Sequence, residues 1–169
     1  MITIKTNRVT GGGICATLCI VMLVLSSVIP NLMLTFLFAS SLVVGICLLR
    51  YKTSTAVMCY ISASIIAMFV VPDKFVGLAF LCLFGNYPII KLYIEKMGKI
   101  VAEYIAKFIV ANIYLVLFYV VLKAVESYAL FDFNIYLLYF AGIGLLLFYD
   151  LAFGFVINAF YKSYYKYLK

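Results

Sequence analysis

The chain has 169 residues, of which 68% are hydrophobic and 11% are charged, and its mean hydropathy is +1.21. This composition excludes a water-soluble globular protein, because too few polar residues are present to cover the surface of one. The net charge of +7 is typical of some nucleic-acid-binding proteins. Here the lysines are dispersed and no RNA-binding motif occurs, so we expect no nucleic-acid partner.

Several classes of catalytic site are also excluded. The absence of histidine rules out histidine-ligated metals, Ser-His-Asp triads and the HExxH motif. No P-loop or pair of catalytic carboxylates occurs, and the five cysteines lie within apolar stretches without a CxxC pair. We therefore expect a protein that is not an enzyme, with no cofactor, no metal and reduced cysteines that serve in packing.

Six apolar stretches use most of the chain, and a helix needs roughly 20 apolar residues to cross a bilayer. We predict membrane spans at 13–29, 32–49, 55–71, 75–90, 108–122 and 135–161. The turn sequences Pro30-Asn31 and Pro72-Asp73-Lys74 separate two pairs of these spans. The predicted fold is an all-α integral membrane protein, a bundle of about six transmembrane helices forming a single transmembrane domain over 1–169.

The distribution of positive charge predicts the orientation. Eleven of the thirteen Lys and Arg residues lie at the N-terminus, at the C-terminus, or in the gaps after the second and fourth spans. The remaining gaps hold only Lys74 and Lys123. Because positive loops stay in the cytoplasm, we expect an N-in/C-in protein of the cell membrane with both termini cytoplasmic.

The gap after the fourth span, 91–107, has a helical pattern of its own. Its charged residues repeat every fourth position, as Lys91, Glu95, Lys99, Glu103 and Lys107, and apolar residues recur at helical spacing between them. This predicts an amphipathic cytoplasmic helix. It serves either as a surface link between two spans or as a docking element for a partner, through Lys91, Glu95, Lys99 and Glu103. Gly12 and Ala16 in the first span, four residues apart, form a second predicted docking seam.

Asp150 is the one acidic residue within an apolar stretch. It precedes Lys162 by twelve residues, which places its carboxyl group roughly 18 Å from the cytoplasmic interface. A charge at that depth costs at least about 2.5 kcal/mol. Since no Lys or Arg is predicted at comparable depth, we expect no internal ion pair. Asp150 is then either a ligand, cation or proton site, with Tyr149, Tyr139 and Asn134 as further candidates for substrate binding, or a protonated acid hydrogen-bonded within the bundle.

Three amides lie at similar shallow depths on the cytoplasmic side: Asn86, Asn112 and Asn158. We predict that they meet across the fourth, fifth and sixth spans, as interhelical hydrogen bonds or as a cytoplasmic gate. Pro88, in the sequence Gly85-Asn86-Tyr87-Pro88, predicts a kink or a helix end within the fourth span.

The string FGNYPIIKLYIE at 84–95, with GGGI at 11–14 and SSVIP at 26–30, resembles a family of small Gram-positive bacterial membrane proteins. Those proteins look like the S components of energy-coupling factor (ECF) transporters. The resemblance implies a six-helix N-in/C-in subunit that captures a vitamin or other micronutrient. It also implies docking through the first span, where Gly12 and Ala16 lie, onto a shared ATP-driven module.

We therefore expect a membrane-embedded substrate-binding subunit of an ATP-driven micronutrient importer. Its partners would be the lipid bilayer, a small-molecule substrate and an ATPase with its transmembrane coupling module. Two alternatives stay open: a non-catalytic scaffold that assembles a cell-envelope complex, resembling the small multi-span protein of the bacterial rod-shape complex, or a stand-alone proton-coupled carrier.

Overall fold

The structure, a computed structural model, describes residues 2–96, 98, 100–124 and 135–166. These residues form helices joined by short turns, in the order α1 (Ile2–Val28), a 3-10 turn (Pro30–Leu32), α2 (Met33–Arg50), α3 (Thr53–Val70), α4 (Lys74–Ala79), a π-helical segment (Phe80–Phe84), α5 (Tyr87–Glu95), α6 (Ile100–Ala124) and α7 (Ile135–Lys166). Contacts divide the chain into unit 1, Met1–Tyr93, and unit 2, Ile94–Lys169. The single transmembrane domain over 1–169 stays a prediction.

Within the described residues, five segments are long and apolar enough to cross a membrane: Asn7–Val28, Pro30–Arg50, Thr53–Val70, Lys74–Glu95 and Gly142–Phe160. They correspond to the first four predicted spans and the sixth, which confirms that the described residues have a helical fold of membrane character. The predicted fifth span, 108–122, lies inside α6, which is not one of the five. The count of six and the orientation of the termini remain predictions.

The predicted break at Pro30-Asn31 is confirmed. Ile29 is non-helical, with φ −115° and ψ 85°, as expected of a residue before proline. Pro30 begins the 3-10 turn, where its missing N–H costs nothing. The Ser26 hydroxyl then donates to the carbonyl of Met33 over 3.0 Å. This bond ties the end of α1 to the start of α2.

The turn at Pro72-Asp73-Lys74 satisfies the ends of two helices at once. Asp73 is the N-cap of α4, and its carboxylate accepts a 2.9 Å hydrogen bond from the Phe75 N–H. The Lys74 ammonium donates to the carbonyls of Met68, at 2.9 Å, and Val71, at 3.3 Å, at the end of α3. Both charged residues of this turn therefore support local structure.

The core of unit 1 lies among α1, α2, α3 and the π-helical segment. The buried side of α3 consists of small residues: Ala56, Cys59, Ala63, Ser64 and Ala67. Larger residues fill the centre, with Leu23, Leu37, Val44 and Phe80 fully buried. Because lipid is as apolar as leucine, close packing of this kind, which small residues permit, stabilises helix association in a membrane.

The predicted kink in the fourth span is confirmed. Helix α4 ends at Ala79, the chain continues as the π-helical segment, and α5 begins at Tyr87 with Pro88 in its first turn. The Tyr60 hydroxyl donates to the Leu81 carbonyl of this irregular segment over 2.7 Å. Gly85 gives the Tyr60 ring room, because a Cβ on Gly85 would lie 2.6 Å from Tyr60 Cδ2 and 2.9 Å from the Phe80 oxygen.

The prediction of one amphipathic helix over 91–107 is wrong. Helix α5 ends at Glu95, and α6 begins at Ile100. Between them Gly98 has φ +65°, a left-handed conformation that favours glycine and commonly ends a helix. The periodic charges therefore belong to two helices.

Helices α6 and α7 contact each other in antiparallel fashion within unit 2. Gly142, early in α7, lies beside Leu115, and Asp150, later in α7, contacts Lys107, earlier in α6. A Cβ on Gly142 would lie 2.5 Å from the Leu115 side chain, so glycine permits a close approach there.

We expect Gly85→Ala to lower the free energy of unfolding by about 1–3 kcal/mol, because the new methyl group overlaps the Tyr60 ring and a backbone oxygen. Thermal unfolding in mild detergent measures this change. Gly13→Ala is the matched control, since a Cβ there has no atom within 4 Å. Equal unfolding temperatures for the two variants would contradict the packing role of Gly85.

Candidate functional site

The strongest candidate site lies in unit 2 around Asp150. Helix α7 is apolar over the segment Gly142–Phe160, and Asp150 lies near the middle of it. Its carboxylate oxygen is 3.1 Å from the Lys107 ammonium on α6. The Asp150 side chain is 17% exposed and that of Lys107 is 24% exposed, so the pair is mostly withdrawn from the surface.

Lys107 is shared by three carboxylates. Glu103 lies 3.0 Å away, one turn earlier on α6, and Glu95, the last residue of α5, lies 3.8 Å away. The Glu103 side chain is 28% exposed and that of Glu95 is 45% exposed. The arrangement joins both helices of unit 2 and the end of α5 through one ammonium group. We call Lys107, Glu95, Glu103 and Asp150 the lysine cluster.

The prediction that Asp150 lacks an internal ion pair is wrong. That prediction placed Lys107 and Lys162 at the same cytoplasmic interface. Lys162 follows Asp150 by twelve residues, so Lys107 was expected to lie equally far from Asp150. The antiparallel register instead aligns Lys107 with Asp150, so Lys162 lies roughly 18 Å further along α7. The positions of charged residues in the sequence do not predict this register, because it depends on how the two helices pack.

The other candidate substrate-binding residues are dispersed. Tyr149 is buried, 7% exposed, with its ring centroid 6.1 Å from that of Phe153. Tyr139 lies about 16 Å from Asp150 along α7, and its hydroxyl donates to Asn112 Oδ1 over 2.6 Å. Asn134 lies outside the described residues. Only Tyr149 is therefore adjacent to Asp150.

The predicted meeting of Asn112 and Asn158 is wrong. Asn112 donates to the Phe108 carbonyl over 2.8 Å and accepts from Tyr139, whereas Asn158 is exposed. Because Lys107 lies beside Asp150, Asn112 and Asn158 are separated by about 20 Å along the helix axes. Asn86, in unit 1, donates to the carbonyl of Cys82 over 3.2 Å.

The docking seam predicted on the first span stays a prediction, and the structure shows how its two small residues pack within this chain. Gly12 and Ala16 are buried within this chain. A Cβ on Gly12 would lie 2.8 Å from the Thr55 methyl group, so glycine allows α1 to approach α3. The two small residues are occupied by internal packing.

The charged residues predicted for docking do not form one exposed stripe. Lys91 is only 7% exposed, Glu95 is exposed, and Glu103 contacts Lys107. Lys99 lies outside the described residues. Interruption of the helix at Gly98 separates Lys91 and Glu95 from Glu103.

Lys107 was missing from the predicted site. Two features of the sequence could have pointed to it: Lys107 follows Glu103 by four residues, and it directly precedes a predicted span. For metals, no group of three or more Cys, Asp or Glu side chains in the described parts of the chain has a geometry that could hold an ion.

Comparison with known protein families, with curated proteins and with solved structures finds no match.

A double-mutant cycle tests the central ion pair. We expect Asp150→Asn and Lys107→Gln to show a coupling free energy of about 0.5–3 kcal/mol in unfolding, because each single change leaves the other charge without this partner. The measurement is chemical or thermal unfolding in mild detergent.

Glu95→Gln is the control for that cycle. Its carboxylate faces the same lysine at 3.8 Å but is more exposed, so its coupling with Lys107→Gln should stay below about 1 kcal/mol. Additive effects of the Asp150 and Lys107 substitutions would show that the ion pair contributes nothing to stability.

Proposed function

We propose that this chain is a membrane-embedded solute-binding subunit of a multi-component importer, with both termini in the cytoplasm. The lysine cluster carries the proposal. Charged side chains inside membrane segments are costly, and they are retained chiefly where they contact a solute or an ion pathway. The solute would lie near Asp150 and Tyr149, with Lys107 holding the carboxylate in position.

A partner would supply the energy. This chain has no nucleotide-binding motif, so ATP would be hydrolysed by a separate subunit coupled to it through the membrane. The resemblance to ECF S components points to the same division of labour. It also makes a vitamin or other micronutrient the expected solute class.

A scaffold for a cell-envelope complex is the second candidate, and one observation favours it. The first turns of α6 expose a row of large apolar side chains, at 56–73% exposure: Val101, Tyr104, Ile105 and Phe108. Such a surface suits either lipid or the apolar side of a partner subunit.

A stand-alone proton-coupled carrier has less support. A carrier of that kind needs a carboxyl group that takes up and releases protons readily. Protonation of Asp150 would remove its 3.1 Å ion pair with Lys107. Each proton transfer would therefore break a contact that holds α6 against α7.

Native purification in mild detergent, followed by mass spectrometry, distinguishes these functions. For an importer we expect ATPase subunits and a bound small molecule with the wild-type chain. Asp150→Asn should lose the small molecule and keep the subunits, since the change is local and nearly isosteric. Tyr139→Phe, about 16 Å away on the same helix, is the control that should keep both.

Two outcomes would contradict the importer. Cell-envelope enzymes in place of ATPase subunits would favour the scaffold. Uptake into vesicles by the purified chain alone, abolished by Asp150→Asn, would favour the carrier.

The proposed orientation has its own test. A green fluorescent protein fused to the C-terminus should fluoresce in cells, because it folds in the cytoplasm, whereas alkaline phosphatase fused at the same place should be inactive. The opposite pair of signals would overturn the cytoplasmic C-terminus without bearing on the lysine cluster.

A further inference from the structure

Three positively charged residues lie at one end of unit 1. Arg8 is the second residue of the first membrane segment, Arg50 is the last residue of the second, and Lys52 directly precedes the third. Arg50 and Lys52 are exposed, and Arg8 is half-buried. We call these three residues the basic end of unit 1.

Packing of α1 against the turn between α2 and α3 brings these charges together. A Cβ on Gly11 would overlap the Tyr51 ring, 2.6 Å from Cε1, and a Cβ on Gly12 would lie 2.8 Å from the Thr55 methyl group. Arg8 lies one turn before Gly12 on the same side of α1. It therefore lies level with the turn that joins α2 to α3.

An aromatic ring fixes one of the three cations. The Arg50 guanidinium lies over the ring of Tyr51, with its carbon 5.7 Å from the ring centroid. The same ring packs against Gly11 on α1. One tyrosine side chain therefore joins Arg50 to the first helix.

No carboxylate of unit 1 lies at this end. The sequence has no Asp or Glu before Asp73 and none from 74 to 93. Asp73 lies beyond the far end of α3, roughly 30 Å from Lys52 along the helix. The positive charge of the basic end is therefore not neutralised by any carboxylate of unit 1.

The start of α3 adds backbone donors to the three cations. This helix begins at Thr53 with no side-chain cap and no acidic residue in its first turn. The first N–H groups of a helix have no partner within it, and they favour an anion. Because Lys52 directly precedes Thr53, an anion held by the lysine would also lie near these N–H groups.

The position of the basic end along the membrane segments identifies the anion. All three cations lie at segment ends, which is the level of phospholipid headgroups. We propose that the basic end of unit 1 binds the phosphate of an anionic phospholipid headgroup and that this lipid joins the ends of α1, α2 and α3. The zwitterionic headgroup of phosphatidylcholine suits the site less well, because its choline group opposes the three cations.

Native mass spectrometry of the full chain in mild detergent tests the proposal. Dioleoyl-phosphatidylglycerol and dioleoyl-phosphatidylcholine are added in separate titrations, and the dissociation constant of the first bound lipid is measured for each. We expect a preference of about tenfold or more for phosphatidylglycerol. Inorganic phosphate at the same concentration should not displace the lipid, because it lacks the acyl chains that contribute to binding.

Two lysine variants form a matched pair. Lys52→Gln should weaken phosphatidylglycerol binding about fivefold, as expected for one cation at a membrane surface. Lys162→Gln removes one exposed cation from α7 in unit 2 and should leave the affinity unchanged. Arg50→Lys should retain most of the affinity that Arg50→Gln loses, because it keeps the charge.

Three results would overturn the proposal. The first is equal affinity of the wild-type chain for the two lipids, which decides the matter even if a variant folds poorly. The second is an equal loss of affinity in Lys52→Gln and Lys162→Gln, since general attraction to the chain would explain it. The third is displacement of the lipid by inorganic phosphate, which would make the site one for a soluble anion.

Discussion

Inside a bilayer no water is present to hydrogen-bond with the backbone, so a spanning chain satisfies its backbone groups internally, and the ends of its helices gain from partners in the turns that join them. The turns of unit 1 meet this constraint with very few residues. Asp73 caps the start of α4, and Lys74 bonds the last carbonyls of α3. Ser26 does the same between α1 and α2. The short loop between α3 and α4 is sufficient because Asp73 and Lys74 each bond a helix end.

The same constraint explains how unit 1 tolerates an irregular helix. A π-helical segment changes the regular bonding pattern of the backbone. The Tyr60 hydroxyl donates to the Leu81 carbonyl, and the Gly85 N–H donates to the Phe80 carbonyl over 2.7 Å. Gly85 also leaves room for the Tyr60 ring. The interruption is thus stabilised by a side chain from the neighbouring helix α3.

The features that sequence could predict are those determined locally. Pro30 and Pro88 restrict their own backbone and that of the preceding residue, and both predicted breaks occur. The apolar stretches likewise predicted the helices of unit 1 to within a few residues, apart from the longer N-terminal end of α1.

Features that depend on packing between helices were missed. The repeat of charges continues across Gly98, so periodicity alone gave no sign that the backbone turns there. Depth counted from Lys162 assumed that all interfacial lysines lie at one height, and the register of α6 against α7 differs from that assumption. The same assumption led to the wrong prediction that Asn112 and Asn158 meet. Gly12 showed that close packing was possible, but not that its neighbour would be Thr55 of the same chain.

The lysine cluster is asymmetric, and this asymmetry bears on how the proposed solute site would work. Lys107 contacts Glu103 one turn away on its own helix, a pair that any α-helix with this spacing can form. If Asp150 moves away, the ammonium still has Glu103 at 3.0 Å and Glu95 at 3.8 Å. Separating α7 from α6 would therefore cost the Asp150 carboxylate its 3.1 Å contact with Lys107, whereas Lys107 would keep two carboxylates. A solute that offers Asp150 a replacement donor would lower that cost, so solute binding and separation of the two helices would favour each other.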